Sequence, residues 1–506
     1  MPTTTQTPPP TELTRALRGA RAGLAEQLAA RLAERIEQRL LAPGARLPSV
    51  RDAAARHGVS PSTVVGAYDL LQARGLVQAR PQRGFFVREP AAAEPARRGA
   101  PAPERAALPP PVDATALIRS MFQVQHGRPA PGMGTLPVAW LDAPLLQRAL
   151  RRVCREPAGW LGYGQPAGDE SLRLAVSRRL ADLGVPAAPA QIVTTVGATH
   201  ALDLVSRALL RPGDAVMVDE PGWAVEFARL ARAGMRLVPV PRGGLGSDGG
   251  PDLAAMEQLL RAHRPRLYVT VSVLHNPTGH SLTPAQAHQV LRLAEAHDLL
   301  IVEDDTYAWL ASPHATRLAQ LDGLKRTIAV SGFSKVLAPQ WRVGFAALPP
   351  SLVDRVVDAK LLSTLTSPGP LEAAVADCLS QGLLRRHAER LVERLDAART
   401  RTVRLAEAAG CRFVAPPAGL FGWVDVGCDT EALAQPLLDE GWLTAPGTLF
   451  HATPRPTTLM RVNFASADEP RFWQRLAAAG GAAAHQAGRA TALLTSRAYE
   501  AHRPAL

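Results

Sequence analysis

The chain has 506 residues, 46% of them hydrophobic and 20% charged, which suits a soluble protein of two to four domains with a sizeable core. Lys+Arg outnumber Asp+Glu by 57 to 45, a net charge of +12 that points to a polyanionic partner over part of the surface. No run approaches 18 apolar residues, and Met1–Pro10 lacks the apolar core of a secretory leader, so neither a membrane span nor export is expected. Cys154, Cys378, Cys411 and Cys428 lack metal-ligand spacing and are too few for a disulfide scaffold; they read as buried or half-buried thiols in a reducing cytoplasm, with no metal site.

Residues 90–111 hold seven prolines and eight alanines and read as a semi-extended linker. It separates a small block, 11–89, from a large one, 112–479, which is followed by a weakly ordered tail, 480–506. The small block carries thirteen arginines against seven acids, half of the excess charge in less than a sixth of the chain. A nucleic acid would bind there.

Within that block, Leu24, Leu28, Leu32, Ile36 and Leu40 recur at helical spacing, and Pro43-Gly44 ends the helix. A second helix fits Ser49–His57, and Gly58 supplies a turn. A third opens at Ser60-Pro61, buries Val64, Tyr68 and Leu71, and stops at Gly75. Strands over Leu76–Ala79 and Phe85–Arg88 flank a basic turn holding Arg80 and Arg83. This order predicts a winged helix-turn-helix whose third helix enters the major groove led by Ser60, Ser62 and Thr63. The run from Pro43 to Val87, with its LPSxR element, resembles the GntR-type DNA-binding domain. The resemblance implies that Arg51 and the first residues of the third helix lie on DNA. Two positions often basic in that family are Pro61 and Val65 here.

The large block alternates β-rich runs (Ile192–Thr195, Ala215–Val218, Arg236–Val240, Leu267–Val273, Leu299–Val302, Thr327–Val330) with helical stretches such as His200–Leu209 and Pro284–His297. That pattern predicts an α/β domain with a mostly parallel sheet, whose ligands bind beyond the strands' carboxyl ends. Those ends carry Gly197-Ala198-Thr199, Asp219-Glu220-Pro221-Gly222-Trp223, His275-Asn276-Pro277-Thr278-Gly279, Glu303-Asp304-Asp305-Thr306-Tyr307 and Ser331-Gly332-Phe333-Ser334-Lys335, with Arg342 seven residues later. A lysine, an acid and phosphate donors are what pyridoxal phosphate requires. Lys325, Lys335 and Lys360 are the only lysines in the chain, and of these Lys335 alone has this context.

Order and spacing resemble fold-type I aminotransferases over about residues 130–470, and the whole chain resembles the MocR subfamily of GntR-type regulators. The resemblance implies a PLP-dependent transferase fold of type I with a smaller C-terminal α+β subdomain. It implies that Lys335 forms an aldimine with PLP and shuttles protons, that Asp304 holds the pyridine nitrogen, and that Asn276 and Tyr307 bond the ring hydroxyl while Trp223 stacks on the ring. Ala198, Thr199, Ser334 and Arg342 would hold the phosphate. Tyr163 would reach the cofactor of a partner subunit, implying a homodimer, and Arg461 would clamp a substrate or effector carboxylate. A position often Ser or Thr in the family is Gly332 here, so one phosphate donor is lost. The expected function is a cytoplasmic transcription regulator that binds operator DNA and senses an amino-group metabolite by aldimine exchange. The alternatives are an active aminotransferase (amino acid/2-oxo acid) carrying a DNA-binding domain, or a DNA-binding protein whose large domain only dimerises it.

Overall fold

The computed structural model describes residues 23–37, 41, 44–80, 84–88, 130–155, 160–243 and 249–480, which belong to two compact units divided after residue 124. The linker 90–111, Arg83 and 481–506 lie outside the described residues.

The N-terminal unit follows from caps and apolar spacing. The helix Leu24–Glu37 buries Leu28, Leu32 and Ile36. The next, Val50–His57, opens at Ser49, whose hydroxyl accepts from Asp52 N at 3.2 Å and donates to Asp52 Oδ2 at 2.7 Å. It closes at Gly58, whose φ of 61° suits a residue without a Cβ. The third helix, Pro61–Ala73, starts from the Ser60 cap and buries Val64, Ala67, Tyr68 and Leu71 along one stripe. Strands β1 (Val77–Arg80) and β2 (Gly84–Val87) pair antiparallel from Val77↔Val87 to Arg80↔Gly84, a register that shifts each strand one residue from its expected position. Tyr68 joins the parts: its hydroxyl donates to Pro48 O at 2.9 Å and its ring lies 4.9 Å from that of Phe85.

In the C-terminal unit, β3 (Ile192–Thr195), β4 (Ala215–Glu220), β5 (Arg236–Pro241), β6 (Leu267–Thr270), β7 (Leu300–Asp304), β8 (Thr327–Gly332) and β9 (Gly344–Ala347) form one sheet in the order β3-β9-β8-β7-β6-β4-β5. Only β9 runs against its neighbours. Sequence reading missed β9 because its GFAA run is short and lacks β-branched residues. Strands β3, β6 and β9 are buried throughout, as a sheet covered on both faces requires. Strands β4, β7 and β8 run up to two residues further than expected, so Glu220, Asp304 and Gly332 are strand ends rather than loop residues.

The second sheet is antiparallel: β10 (Arg412–Phe413), β11 (Phe421–Asp425), β13 (Leu459–Asn463) and β12 (Ala445–Pro446), in that order. With the helices Leu383–Ala408 and Thr430–Asp439 it forms the smaller α+β part. Cys378 and Cys411 are buried and Cys428 half-buried, but Cys154 is exposed, correcting the expectation for that thiol. It caps the helix Ala143–Val153 beside the exposed Arg151 and Arg155, on the side turned away from the core. Among the described residues no His, Cys, Asp or Glu cluster could hold a metal ion, and no helix is long and apolar enough to cross a membrane.

Candidate functional sites

The ends of the parallel strands converge on Lys335. Its Nζ donates to Gly134 O at 2.7 Å and lies 5.6 Å from the centre of the Tyr307 ring. Burial lowers its pKa to about 8, helped by the positive charges of Arg461 and Arg342 and opposed by Asp304.

Asp304 ends β7 in a buried position. Thr306 donates to Oδ1 through its backbone N at 3.0 Å and through its hydroxyl, which leaves Oδ2 without a hydrogen bond among the described residues. Burial pushes the carboxyl up to about 6 against those bonds. A cation beside Oδ2, such as a protonated ring nitrogen, would restore the ionised form. Tyr307 is buried edge-on to Phe421, ring centres 5.5 Å apart, and burial raises its hydroxyl pKa while Arg461 and a hydrogen bond from Asn276 oppose the rise.

Arg461 stands in the middle of β13, opposite Trp423 and Ala445, and is only 5% exposed. Nη1 donates to Asn276 Oδ1 at 3.0 Å and Nη2 to Gly132 O at 2.6 Å, while Nε is buried with no partner. The rings of Phe421 and Phe450 lie 4.3 and 5.1 Å from its guanidinium carbon. No carboxylate among the described residues pairs with it, and burial lowers its pKa to about 10.

Trp223 is half-buried and faces the same cleft as His275, Asn276 and Asp304. Beside it lies a candidate anion cradle. The helix Gly197–Leu209 starts directly after β3, so the first N–H groups, including those of Ala198 and Thr199, have no partners within the helix. Arg342 donates to Ser334 Oγ and Val196 O, both at 3.2 Å. Close packing here needs bare glycines: a Cβ on Gly197 (φ 77°) would meet Arg342 Nη2 at 2.4 Å, and one on Gly344 would meet Gly197 C at 2.6 Å. Gly332 pairs with Gly344, and a Cβ there would sit 3.2 Å from Val343 O and 3.4 Å from Ala198 N.

Side chains alternate along β7, so Glu303 and Asp305 face away from Asp304 into a second pocket lined by Arg179, Trp309 and Arg317. There Arg317 Nε donates to Asp305 Oδ2 at 2.6 Å, and Leu318 N and Ala319 N donate to Glu303 at 2.7 and 2.8 Å. That side is a structural support.

Lys335, Asp304, Asn276, Tyr307, Trp223 and Arg461 thus come together, with Ala198, Thr199, Ser334 and Arg342 grouped at the cradle. Tyr163 does not join them: it is 85% exposed, with no hydrogen bond among the described residues. Sequence reading missed the segment 130–136. Besides accepting from Lys335 and Arg461, it accepts from Asn463 Nδ2 at Met133 O (3.0 Å) and Thr135 O (2.8 Å). Its only signal was the Pro/Gly run PGMGTLP, which also reads as a turn.

On the winged unit, Arg51, Ser60 and Ser62 are exposed, and Arg80 and Thr63 are half-exposed. Ser60 Oγ lies 2.8 Å from both Ser62 Oγ and Thr63 Oγ1, and it accepts from Thr63 N at 3.2 Å. The Ser60 hydroxyl therefore caps the helix as well as facing outward. Arg80 lies over the Phe86 ring at 4.7 Å.

Residues 24–87 match the family described as bacterial regulatory proteins, gntR family, and residues 135–474 match aminotransferase class I and II. The chain is 30% identical over 454 residues to the uncharacterized HTH-type transcriptional regulator YdcR of Escherichia coli (strain K12), covering 87% of this chain and 94% of that one. It is 32% identical over 363 residues to the probable rhizopine catabolism regulatory protein MocR of Rhizobium meliloti, covering 68% and 69%.

The chain belongs to the MocR-type GntR regulators.

The regulator joins a GntR-type DNA-binding domain to an aminotransferase-like domain of fold type I. A solved structure with that fold is LysN, the alpha-aminoadipate aminotransferase of Thermus thermophilus, complexed with N-(5'-phosphopyridoxyl)-L-leucine. It is 25% identical, with a TM-score of 0.66, over 73% of this chain and 95% of that one.

Proposed function

We propose that the C-terminal domain binds pyridoxal 5'-phosphate at Lys335 and senses a small amine carrying a carboxylate, which changes the hold of the winged domain on operator DNA. The residues fit the cofactor: a buried acid with one free oxygen and a half-buried indole line one cleft, and a lysine of lowered pKa and a glycine-lined helix start lie at the same strand ends. When bound, the cofactor supplies an aldehyde that captures amines and a ring that withdraws electrons from the captured carbon. Ala198, Thr199, Ser334 and Arg342 would hold its phosphate. Asp304 Oδ2 would keep the ring nitrogen protonated, Asn276 and Tyr307 would bond the ring hydroxyl, and Trp223 would cover the ring. With a pKa of about 8, Lys335 has roughly a quarter of its amine neutral at pH 7.5, as nucleophile and proton carrier both require.

The observation that carries the sensing role is Arg461, a buried guanidinium with a free Nε and a backbone carbonyl where a carboxylate would bind. A ligand carboxylate would take Nη2 from Gly132 O and loosen segment 130–136, which follows the linker in the chain. Such a ligand shifts DNA binding only as far as it prefers one conformation over the other. We place the domain boundaries at 11–89, 90–111, 112–479 and 480–506. We assign DNA contacts to Arg51, Ser60, Ser62, Thr63, Arg80 and Arg83. A cytoplasmic homodimer, with the exposed Tyr163 reaching the partner's cofactor, completes the reading.

The test is a panel of amino acids and simple amines added to the PLP-loaded regulator on its own upstream intergenic DNA, read by fluorescence anisotropy. At least one carboxylate-bearing amine should move the affinity in wild type and leave Arg461→Met unmoved. A panel that shifts neither protein, or shifts both equally, contradicts the role of Arg461. The same residues equip the domain for amino-group transfer, and sustained turnover of an amino acid/2-oxo acid pair would assign it to catalysis.

A further inference from the structure

The third helix of the winged unit, Pro61–Ala73, turns Val64, Ala67, Tyr68 and Leu71 inward. The opposite stripe, exposed at Pro61, Ser62, Val65, Asp69 and Gln72, is the face the helix offers to a major groove. Val65 is 42% exposed, and among the described residues it is the only large aliphatic side chain standing out from that stripe. A solitary surface valine elsewhere would need no explanation. This one lies one turn inside the helix N-terminus, behind the Ser60, Ser62 and Thr63 hydroxyls, with the exposed Arg46 and Arg51 in the same unit. One turn further, Asp69 puts a carboxylate on the stripe, where phosphates would repel it, so close apposition to DNA ends near there.

Valine can neither donate nor accept a hydrogen bond. Pressed against a guanine, cytosine or adenine edge it would strip water from polar atoms and return nothing. The C5-methyl of thymine is the one apolar group that a base pair presents in the major groove. We infer that Val65 reads thymine: the regulator's site holds, for each bound winged helix, one thymine whose methyl packs on the Val65 side chain. This rests on the DNA-binding reading above and names the base class that the helix selects.

The experiment uses the full-length protein. Duplexes are selected from a random-sequence library, and each thymine of the winning sequence is replaced in turn by uracil, which removes only the methyl. Affinity is read by anisotropy. One position per bound helix should weaken wild-type binding about fourfold, as expected for burying one carbon group. Val65→Ala should bind the thymine duplex correspondingly less well and lose most of the thymine–uracil difference, and as an exposed position it should leave folding intact. Two results overturn the inference: no uracil position that weakens wild type, or the same uracil penalty retained in Val65→Ala. If no duplex binds in a salt-dependent way, the DNA-binding reading fails and this inference fails with it.

Discussion

Arg461 on β13 donates through Nη1 to Asn276 Oδ1 at 3.0 Å, tying the small antiparallel sheet to the turn after β6. Two residues assigned to different tasks, one to a carboxylate and one to the cofactor ring, thus share a hydrogen bond. Occupancy of either position is coupled to the geometry of the other. Arg461 also lowers the Lys335 pKa.

Arg461→Met removes that cation while keeping an apolar stem against Phe421 and Phe450. The Lys335 amine then titrates higher, so the pH at which added PLP is captured at half its maximal rate moves upward. Stopped-flow absorbance from pH 6 to 10 reads the shift; an unchanged midpoint refutes the electrostatic link.

Capture itself follows the free amine of Lys335. In wild type its rate rises with pH through about 8 and levels off above, because the protonated amine is not a nucleophile. A midpoint above 10 would show that the lysine behaves as an ordinary exposed one.

Asp304 carries the opposite sign. Its folded value of about 6 lies above the ordinary 3.8, so the folded chain holds more protons than the unfolded one between those values. Its contribution to the stability of the cofactor-free protein therefore falls as pH rises through that window. Asp304→Asn removes the penalty: the cofactor-free variant is more stable than wild type at pH 8 by on the order of 3 kcal/mol and equal to it near pH 3.5. The same variant gains less Tm from PLP, since the ring nitrogen loses its carboxylate. Calorimetry with and without cofactor reads both effects.

Two glycines of the cradle should respond differently. Gly344→Ala drives a Cβ to 2.6 Å from Gly197 C and 2.8 Å from Ala198 N, so the start of the phosphate-facing helix must shift. The expected cost is about 1–3 kcal/mol in stability and loss of PLP retention on gel filtration. Gly332→Ser meets Val343 O at 3.2 Å and Ala198 N at 3.4 Å, contacts that a shift of a few tenths of an ångström relieves, and adds a hydroxyl near Ala198 N, so it folds and retains more PLP than Gly344→Ala. Equal PLP loss in both variants contradicts this account.

On the winged domain, Arg51→Ala should weaken binding to the upstream intergenic DNA and reduce the slope of log K against log salt by about one, as for one lost phosphate contact. An unchanged slope removes Arg51 from the interface.

Much of this was legible in the residues. Ser60-Pro61, Gly58 and the Leu28/Leu32/Ile36 spacing placed the helices, because caps and stripes are local signals. Lys335, Asp304 and Asn276 could be picked out because they follow apolar runs at strand ends. What escaped depends on distant contacts. Segment 130–136 matters through carbonyls, which carry no side-chain signature, and Gly344 matters because Gly197 lies opposite in space, 147 positions away in sequence. β9 is held by two neighbours rather than by its own propensity. Tyr163 stands exposed in the single chain, so its proposed role depends on a second subunit.

A Schiff base between Lys335 and pyridoxal 5'-phosphate in the C-terminal domain would absorb visible light. Full-length protein reconstituted with PLP and freed of excess should keep a visible absorbance band that Lys335→Ala lacks, while Lys325→Ala retains it. A colourless wild type, or a band that persists unchanged in Lys335→Ala, would contradict the account.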